Sequence, residues 1–188
     1  MRGKRLYHTL RLMLCKNDTR RSQYLKKNNV FYAMGENVSM NMKVLPLYPK
    51  LISFGNNIKV ATGVTFVTHD VIDMVLNRCQ DERKFLENLG CIQIMDNCFI
   101  GAKSVIMPNV KIGPNAIVGA GAVVTKDIPP GEIWGGVPAR RIGTFDDYMD
   151  RYFTVCEEKR TLKAAAAESL SEDRVEAEWN YFRRQRKG

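Results

Sequence analysis

The chain has 188 residues, 45% hydrophobic and 26% charged, a globular composition with room for one core and some appendages. No apolar run approaches the roughly 20 residues that span a bilayer, so no integral membrane segment is expected. The net charge of +9 is uneven: residues 1–30 hold nine Lys/Arg against one Asp, and the remaining body is near neutral, without the basic, aromatic-rich surface or motif of a nucleic-acid binder.

In chain order, residues 1–30 form a basic leader. Its start, MRGKRLYHTLRLMLC, has His8 and Arg11 inside the apolar stretch and no small-residue cleavage site after it, so it reads as a helix and not as a signal peptide. Its charge fits a solvated helix face, or contact with an anionic membrane surface or ligand. The five cysteines (Cys15, Cys79, Cys91, Cys98 and Cys156) form no CxxC pair, which suits reduced thiols in a cytoplasm.

From Met34 a six-residue frame begins: MGENVS, MNMKVL, an irregular PLYPKL, then ISFGNN, IKVATG and VTFVTH. Val38, Val44, Thr62 and Thr68 fit its fifth position; Lys50 and Asn56 do not. Residues 70–93, with one Gly and no Pro, interrupt the frame directly after His69. They read as a loop, partly helical, thrown out from a corner, where Val71, Ile72, Met74 and Val75 wall a pocket or pack on a neighbouring subunit. From Ile94 the frame is clean: IMDNCF, IGAKSV, IMPNVK, IGPNAI, VGAGAV, VTKDIP. Ile or Val leads every unit, and the fifth place is Cys98, Ser104, Val110, Ala116, Ala122 or Ile128. A helix repeats near 3.6 residues and a strand near 2, so a period of six means a short strand plus a corner. The leading residue points inward, the fifth fits beneath the next turn, and Gly, Asn and Pro shape the corner. Three units close one coil, and twelve imply roughly four coils.

After residue 143 the character changes. Phe145, Tyr148, Met149, Tyr152, Phe153 and Cys156 share one helical face, with Thr144 and Asp147 as a start. This helix is expected to cover the end of the coils or a subunit seam. Ser169 to Glu172 suggests a second helix start, followed by Val175, Trp179 and Phe182 and a basic end.

The repeat and the segment GAGAVVTKDIPPGEIWGGVPAR (119–140) resemble the hexapeptide-repeat acyltransferases, in particular the galactoside, maltose and xenobiotic acetyltransferase branch and related sugar O-acetyltransferases of bacterial surface polysaccharides. The resemblance covers about residues 20–143. It implies a mainly β fold, a left-handed parallel β-helix over 31–143 carrying the loop 70–93, with the helical segment 1–30 before it and the helical extension 144–188 after it. The left hand departs from the usual right-handed crossover, so it rests on the resemblance alone. Also implied are a homotrimer, acetyl-coenzyme A as donor and a cytoplasmic enzyme. The donor positions that match are Ala102, Ala120, Thr125, Lys126 and Arg140: small residues let the pantetheine arm lie flat, and Lys126 and Arg140 meet phosphate charge. The family's second basic residue falls on Gly143, where Arg141 is the candidate substitute. Asn41 matches a substrate-contacting Asn.

His69 is one of two histidines. The zinc branch of this fold, the β-helical carbonic anhydrases, uses three, and no ligand-spaced cluster occurs here, so no metal is expected. A core histidine is the plain alternative, but His69 closes a unit at a corner beside the long loop. In the family the catalytic His lies at the mouth of a corresponding loop. Moving an acetyl group from a thioester to a sugar hydroxyl needs a base for the hydroxyl proton, and imidazole ordinarily titrates near pH 6.5. Asp70 is a candidate to orient the ring or touch the acceptor; Asp73, Glu36 and a backbone carbonyl compete for the orienting role. The expected activity is an acetyl-coenzyme A–dependent O-acetyltransferase. The alternatives are N-acetylation of an amino sugar or nucleotide sugar, a hydroxylated antibiotic as acceptor, and an inactive β-helical scaffold.

Overall fold

The computed structural model describes residues 2–79, 82–161 and 171–186, in two compact units, Met1–Phe145 and Asp146–Gly188. The first unit opens with helices α1 (Arg2–Leu14) and α2 (Asp18–Lys27). Asn17 caps α2, its side chain accepting from the Arg20 N–H at 2.9 Å. Short strands follow: β1 (Ala33–Met34), β2 (Val38–Met40), β3 (Ile52–Phe54), β4 (Ile58–Val60) and β5 (Thr65–Phe66). An excursion carries β6 (His69–Asp70), α3 (Asp73–Cys79) and β7 (Asn88–Leu89). Then come β8 (Ile92–Ile94), β9 (Cys98–Ile100), β10 (Val105–Ile106), β11 (Val110–Ile112), β12 (Ala116–Val118), β13 (Val123–Val124), β14 (Glu132–Gly135) and β15 (Arg140–Thr144).

The strands stack in three parallel sheets that the chain visits in rotation, the architecture of a β-helix. Face one is β1-β3-β8-β11, face two is β2-β4-β9-β12-β14 and face three is β5-β10-β13. The antiparallel strand β15 pairs with β14 at the edge of face two. Each three-residue strand puts its outer two side chains inward and its middle one outward, as in Cys98, Phe99 and Ile100. The fifth residue of one unit and the first of the next therefore flank the same strand. Ile94, Ile100, Ile106, Ile112, Val118 and Val124 are all fully buried, and their fifth-position partners line the same core.

Corners are left-handed backbone turns. Asn37, Asn57, Asn97 and Asn115 have φ of 53–58° between faces one and two, a conformation Asn tolerates better than most residues. Their side chains form a ladder: Asn57 Nδ2 donates to Asn97 Oδ1 and Asn97 Nδ2 to Asn115 Oδ1, both at 2.8 Å.

The early frame needs correction. Val38 pairs with Ile58, twenty residues on, whereas Cys98 pairs with Ala116, eighteen on. The irregular stretch after Met40, with a 3-10 turn at Pro49–Leu51, holds two extra residues. Beyond it the true fifth positions are Ile52, Ile58 and Val64, all buried, while Val44 and Thr62 are exposed. Both registers place apolar residues two apart, so composition alone could not separate them; strand pairing does. The loop also ends earlier than expected. β8 begins at Ile92, buried like Ile94 and paired with Ile52.

In the second unit α4 (Phe145–Thr161) begins directly after Thr144, and α5 (Glu172–Arg184) is capped by Ser171, which accepts from the Arg174 N–H at 3.3 Å. Ser169, the expected start, lies outside the described residues, as does Lys187 of the basic end. Lys159 of α4 pairs with Glu178 of α5 at 2.6 Å, and the Tyr181 hydroxyl donates to Glu158 at 3.0 Å. On α4, Tyr148, Met149, Tyr152 and Phe153 are exposed on the single chain.

Candidate active site

His69 leaves the coil at the corner between faces three and one. It pairs antiparallel with Leu89, and Asp70 with Asn88, so the excursion is closed at its neck by β6 and β7. The neck is tied to the coil by the Gly90 N–H, which donates to Thr68 O at 3.0 Å. The Tyr48 ring meets the imidazole edge-to-face, with centroids 5.2 Å apart and planes at 83°. The Tyr48 hydroxyl donates to the Glu87 carboxylate, 3.0 and 3.1 Å from its two oxygens, and that carboxylate pushes the Tyr48 pKa up. Tyr48 and Glu87 thus bridge the irregular stretch and the excursion over the histidine. The His69 Nδ1 is buried without a hydrogen-bond partner, which leaves Nε2 as the outward nitrogen. The Asp73 Oδ1 and Thr68 Oγ1 are buried and unpartnered as well.

Asp70 serves the excursion. Its carboxylate accepts from Asn88 Nδ2 at 2.7 Å and from the Ile72 N–H at 3.2 Å. These two donors hold its pKa below the usual carboxylate range. No described hydrogen bond joins Asp70 to the ring. Glu36, another candidate orienter, is ion-paired with Lys26 at the far corner between faces one and two. Val71, Ile72, Met74 and Val75 are exposed.

The five expected donor residues frame face three. Ala102 and Ala120 sit one above the other on its edge toward face two, where the Gly121 N–H donates to Ala102 O at 2.8 Å. Thr125 and Lys126 leave β13 at the opposite edge, on the same corner as His69 but two coils along. At the ~4.8 Å spacing of strands in a sheet, that is about 10 Å. The 136–140 segment continues the stack: Ala139 N–H donates to Val123 O at 2.8 Å. Arg140 is therefore one coil further, about 14 Å from the His69 level. The outward side chains between the edges are Thr65, Val105 and Val123, all uncharged. Gly101 leaves no space for a side chain beneath it: a Cβ would come 2.5 Å from Ala120 N. Lys126 and Arg140 thus lie toward the end of face three away from His69, and the exposed Lys103 lies beside Ala102. Arg141, the candidate second cation, is paired with Glu132 at 3.2 Å.

Asn41 tops the Ala102–Ala120 edge. Its Oδ1 accepts from Arg21 Nη1 at 3.0 Å and its amide donates to Thr62 Oγ1. Arg21 is itself buried and bonded to the Leu12 and Cys15 carbonyls. Asn41 lines a cavity of about 480 Å³ together with Arg5, Leu45, Pro46, Thr65 and Phe66; His69 is not among its lining residues. Tyr48 and Glu87 escaped the sequence reading. The one available signal was the break at PLYPKL, a unit that abandons the repeat and carries an aromatic residue. Among the described residues, no three metal-ligating side chains converge.

Residues 91–126 match the bacterial transferase hexapeptide (six repeats) model. Galactoside O-acetyltransferase of Escherichia coli K12 is 32% identical over 133 residues, 66% of this chain and 62% of that protein. The structure of a maltose O-acetyltransferase from Clostridium difficile 630 is 27% identical and superposes with a TM-score of 0.55 over 76% of this chain and 85% of its own. A galactoside acetyltransferase in complex with coenzyme A is 26% identical, with a TM-score of 0.54 over 78% and 82% of the two chains. The chain spans less than two thirds of the length of the curated relatives it matches first, 63% and 62%. In its six-residue repeat and its stacked parallel coils this chain is similar to the hexapeptide-repeat acetyltransferases.

Proposed function

We propose that this protein is an acetyl-coenzyme A–dependent O-acetyltransferase acting on a sugar or saccharide-precursor hydroxyl in the cytoplasm. The observation that carries the reading is that His69 and the five donor-site residues border one face of the β-helix, with His69 at one end and the cations at the other. A coenzyme A complex and galactoside and maltose O-acetyltransferases among the relatives support the donor and the acceptor class. In this reading the β-helix is left-handed and three copies assemble, so that face three of one copy and a neighbour form the donor groove. The excursion at 70–91 walls the acceptor.

His69 Nε2 accepts the proton of the acceptor hydroxyl as its oxygen attacks the thioester carbonyl. The tetrahedral intermediate collapses, and the departing thiolate takes that proton from the imidazolium. No covalent enzyme intermediate is needed, because holding donor and acceptor together supplies much of the rate. Ala102 and Ala120 leave room for the pantetheine arm, Thr125 lines its edge, and Lys126 and Arg140 attract the phosphates. Asn41, held by Arg21, faces the acceptor. Tyr48 positions the ring. The domain roles follow: 31–143 catalysis, 1–30 and 144–188 accessory.

The test is thiol release from acetyl-coenzyme A over a panel of sugars and nucleotide sugars, with His69→Ala beside the wild type. Turnover is expected to fall by about 10²–10⁴-fold, the usual worth of a general base, with coenzyme A binding retained. Unchanged turnover in the variant would reject the mechanism. Absence of coenzyme A binding by the wild type would favour a scaffold, and an amide product would replace O- by N-acetylation.

A further inference from the structure

The helix α1 is oriented by its contacts. Leu12 is fully buried, Arg5 Nε donates to Leu45 O at 3.0 Å, and His8 Nδ1 lies 2.7 Å from the Tyr24 hydroxyl. Its opposite side carries Leu6, Tyr7, Leu10, Met13 and Leu14, each 53–76% exposed. At about 100° per residue these five and Gly3 fill an arc of about 120° with no charged residue in it. Lys4 and Arg11 border the arc, and Lys16, Arg20 and Lys27 are exposed beyond its end. A solvated basic helix would turn its charges outward; this one turns a continuous apolar stripe outward and sets Arg11 and Lys4 along one edge of it. Contiguous exposed apolar surface of this kind marks an interaction site.

We propose that α1 docks this protein on an anionic phospholipid bilayer, lying in the interface with its apolar stripe inserted and the cations along one edge of the stripe and beyond its end on the headgroups. The proposal is independent of the acetyltransferase reading. Charge selects the occupant. A second copy would bring the same basic segment, +8 over residues 1–30, against its own image, whereas an anionic surface neutralises it. At 13 residues the helix is about 20 Å long, and no helix among the described residues is long and apolar enough to cross a membrane. It therefore lies on the surface.

The test is flotation of the full chain with vesicles of phosphatidylcholine alone and with one third phosphatidylglycerol. The wild type is expected to float with the anionic vesicles only and to be released by high salt. Leu10→Ser/Met13→Ser, at two exposed positions, abolishes flotation with circular dichroism unchanged. Lys4→Gln/Lys16→Gln weakens it about fivefold per charge removed. A wild type that does not float with anionic vesicles overturns the proposal. So does an apolar-stripe variant that floats normally, or one whose oligomeric mass drops, since the stripe would then be a subunit contact.

Discussion

Replacing Gly101 by Ala should destabilise the protein, while the same change at Gly119 should not, although both follow the leading residue of a repeat unit. At 101 the new Cβ would stand 2.5 Å from Ala120 N and Val118 O and 2.6 Å from Gly119 C. All three are backbone atoms of the next coil, so no side-chain rotation relieves the clash. Reaching the 3.4 Å at which ordinary contact begins requires the coils to part locally by 0.9 Å. That separation stretches the bond from the Gly101 N–H to Val118 O, now 2.8 Å. Overpacking of this sort costs about 1–3 kcal/mol, against about 0.4–1 kcal/mol gained by stiffening the unfolded chain. The net loss is about 1–2 kcal/mol. At 119 the nearest atoms are Trp134 O at 3.4 Å and Gly135 Cα at 3.5 Å, so only the gain remains. Urea unfolding followed by circular dichroism should show the Gly101→Ala midpoint about 0.5–1 M lower, and Gly119→Ala at or slightly above the wild type. Equal midpoints for the two variants would refute the reasoning.

Asn97→Ala removes two rungs of the amide ladder and puts Ala at φ 58°. It should cost about 2–3 kcal/mol in the same assay, with Asn97→Gly recovering about 1 kcal/mol, the left-handed share. Burial pushes the Cys98 thiol up to about 11, so timed alkylation with mass spectrometry should modify exposed Cys79 and Cys91 in the native state and spare Cys98. Asp18 is paired with Lys59 and bonded to Ser39, which hold its carboxyl well below the usual range. A depressed folded pKa gives stability present above the unfolded value near 3.9 and lost as pH falls through the folded one. Asp18→Asn should therefore be less stable than wild type at neutral pH, with the gap closing below about pH 4; a gap independent of pH would contradict the pairing.

Much of the fold was legible because it is a local geometry repeated. Each unit carries its own inward residues and its own corner residue, so Ile94 to Ile128 declared strand, turn and core without reference to distant sequence. His69 was legible as a lone imidazole at a corner, and the donor residues through the family segment 119–140. Where two extra residues entered after Met40, the pattern was degenerate: Ile58 and Val60 are both apolar and two apart, and only pairing with Cys98 and Ile100 assigns their places.

The chain by itself determined the period, the inward residues and the position of the histidine, because those depend on nearest-neighbour backbone geometry. Stacking decided the rest. It brought Tyr48 onto His69 from 21 residues away, gave the Asp70 carboxylate to Asn88, and set Gly101 against the backbone of the next coil while leaving Gly119 room for a methyl group. It also turned the apolar stripe of α1 outward, since Leu12 and not Leu10 meets the core. Each of these depends on which atoms of another coil or helix lie opposite, and that contact is a property of the packed chain.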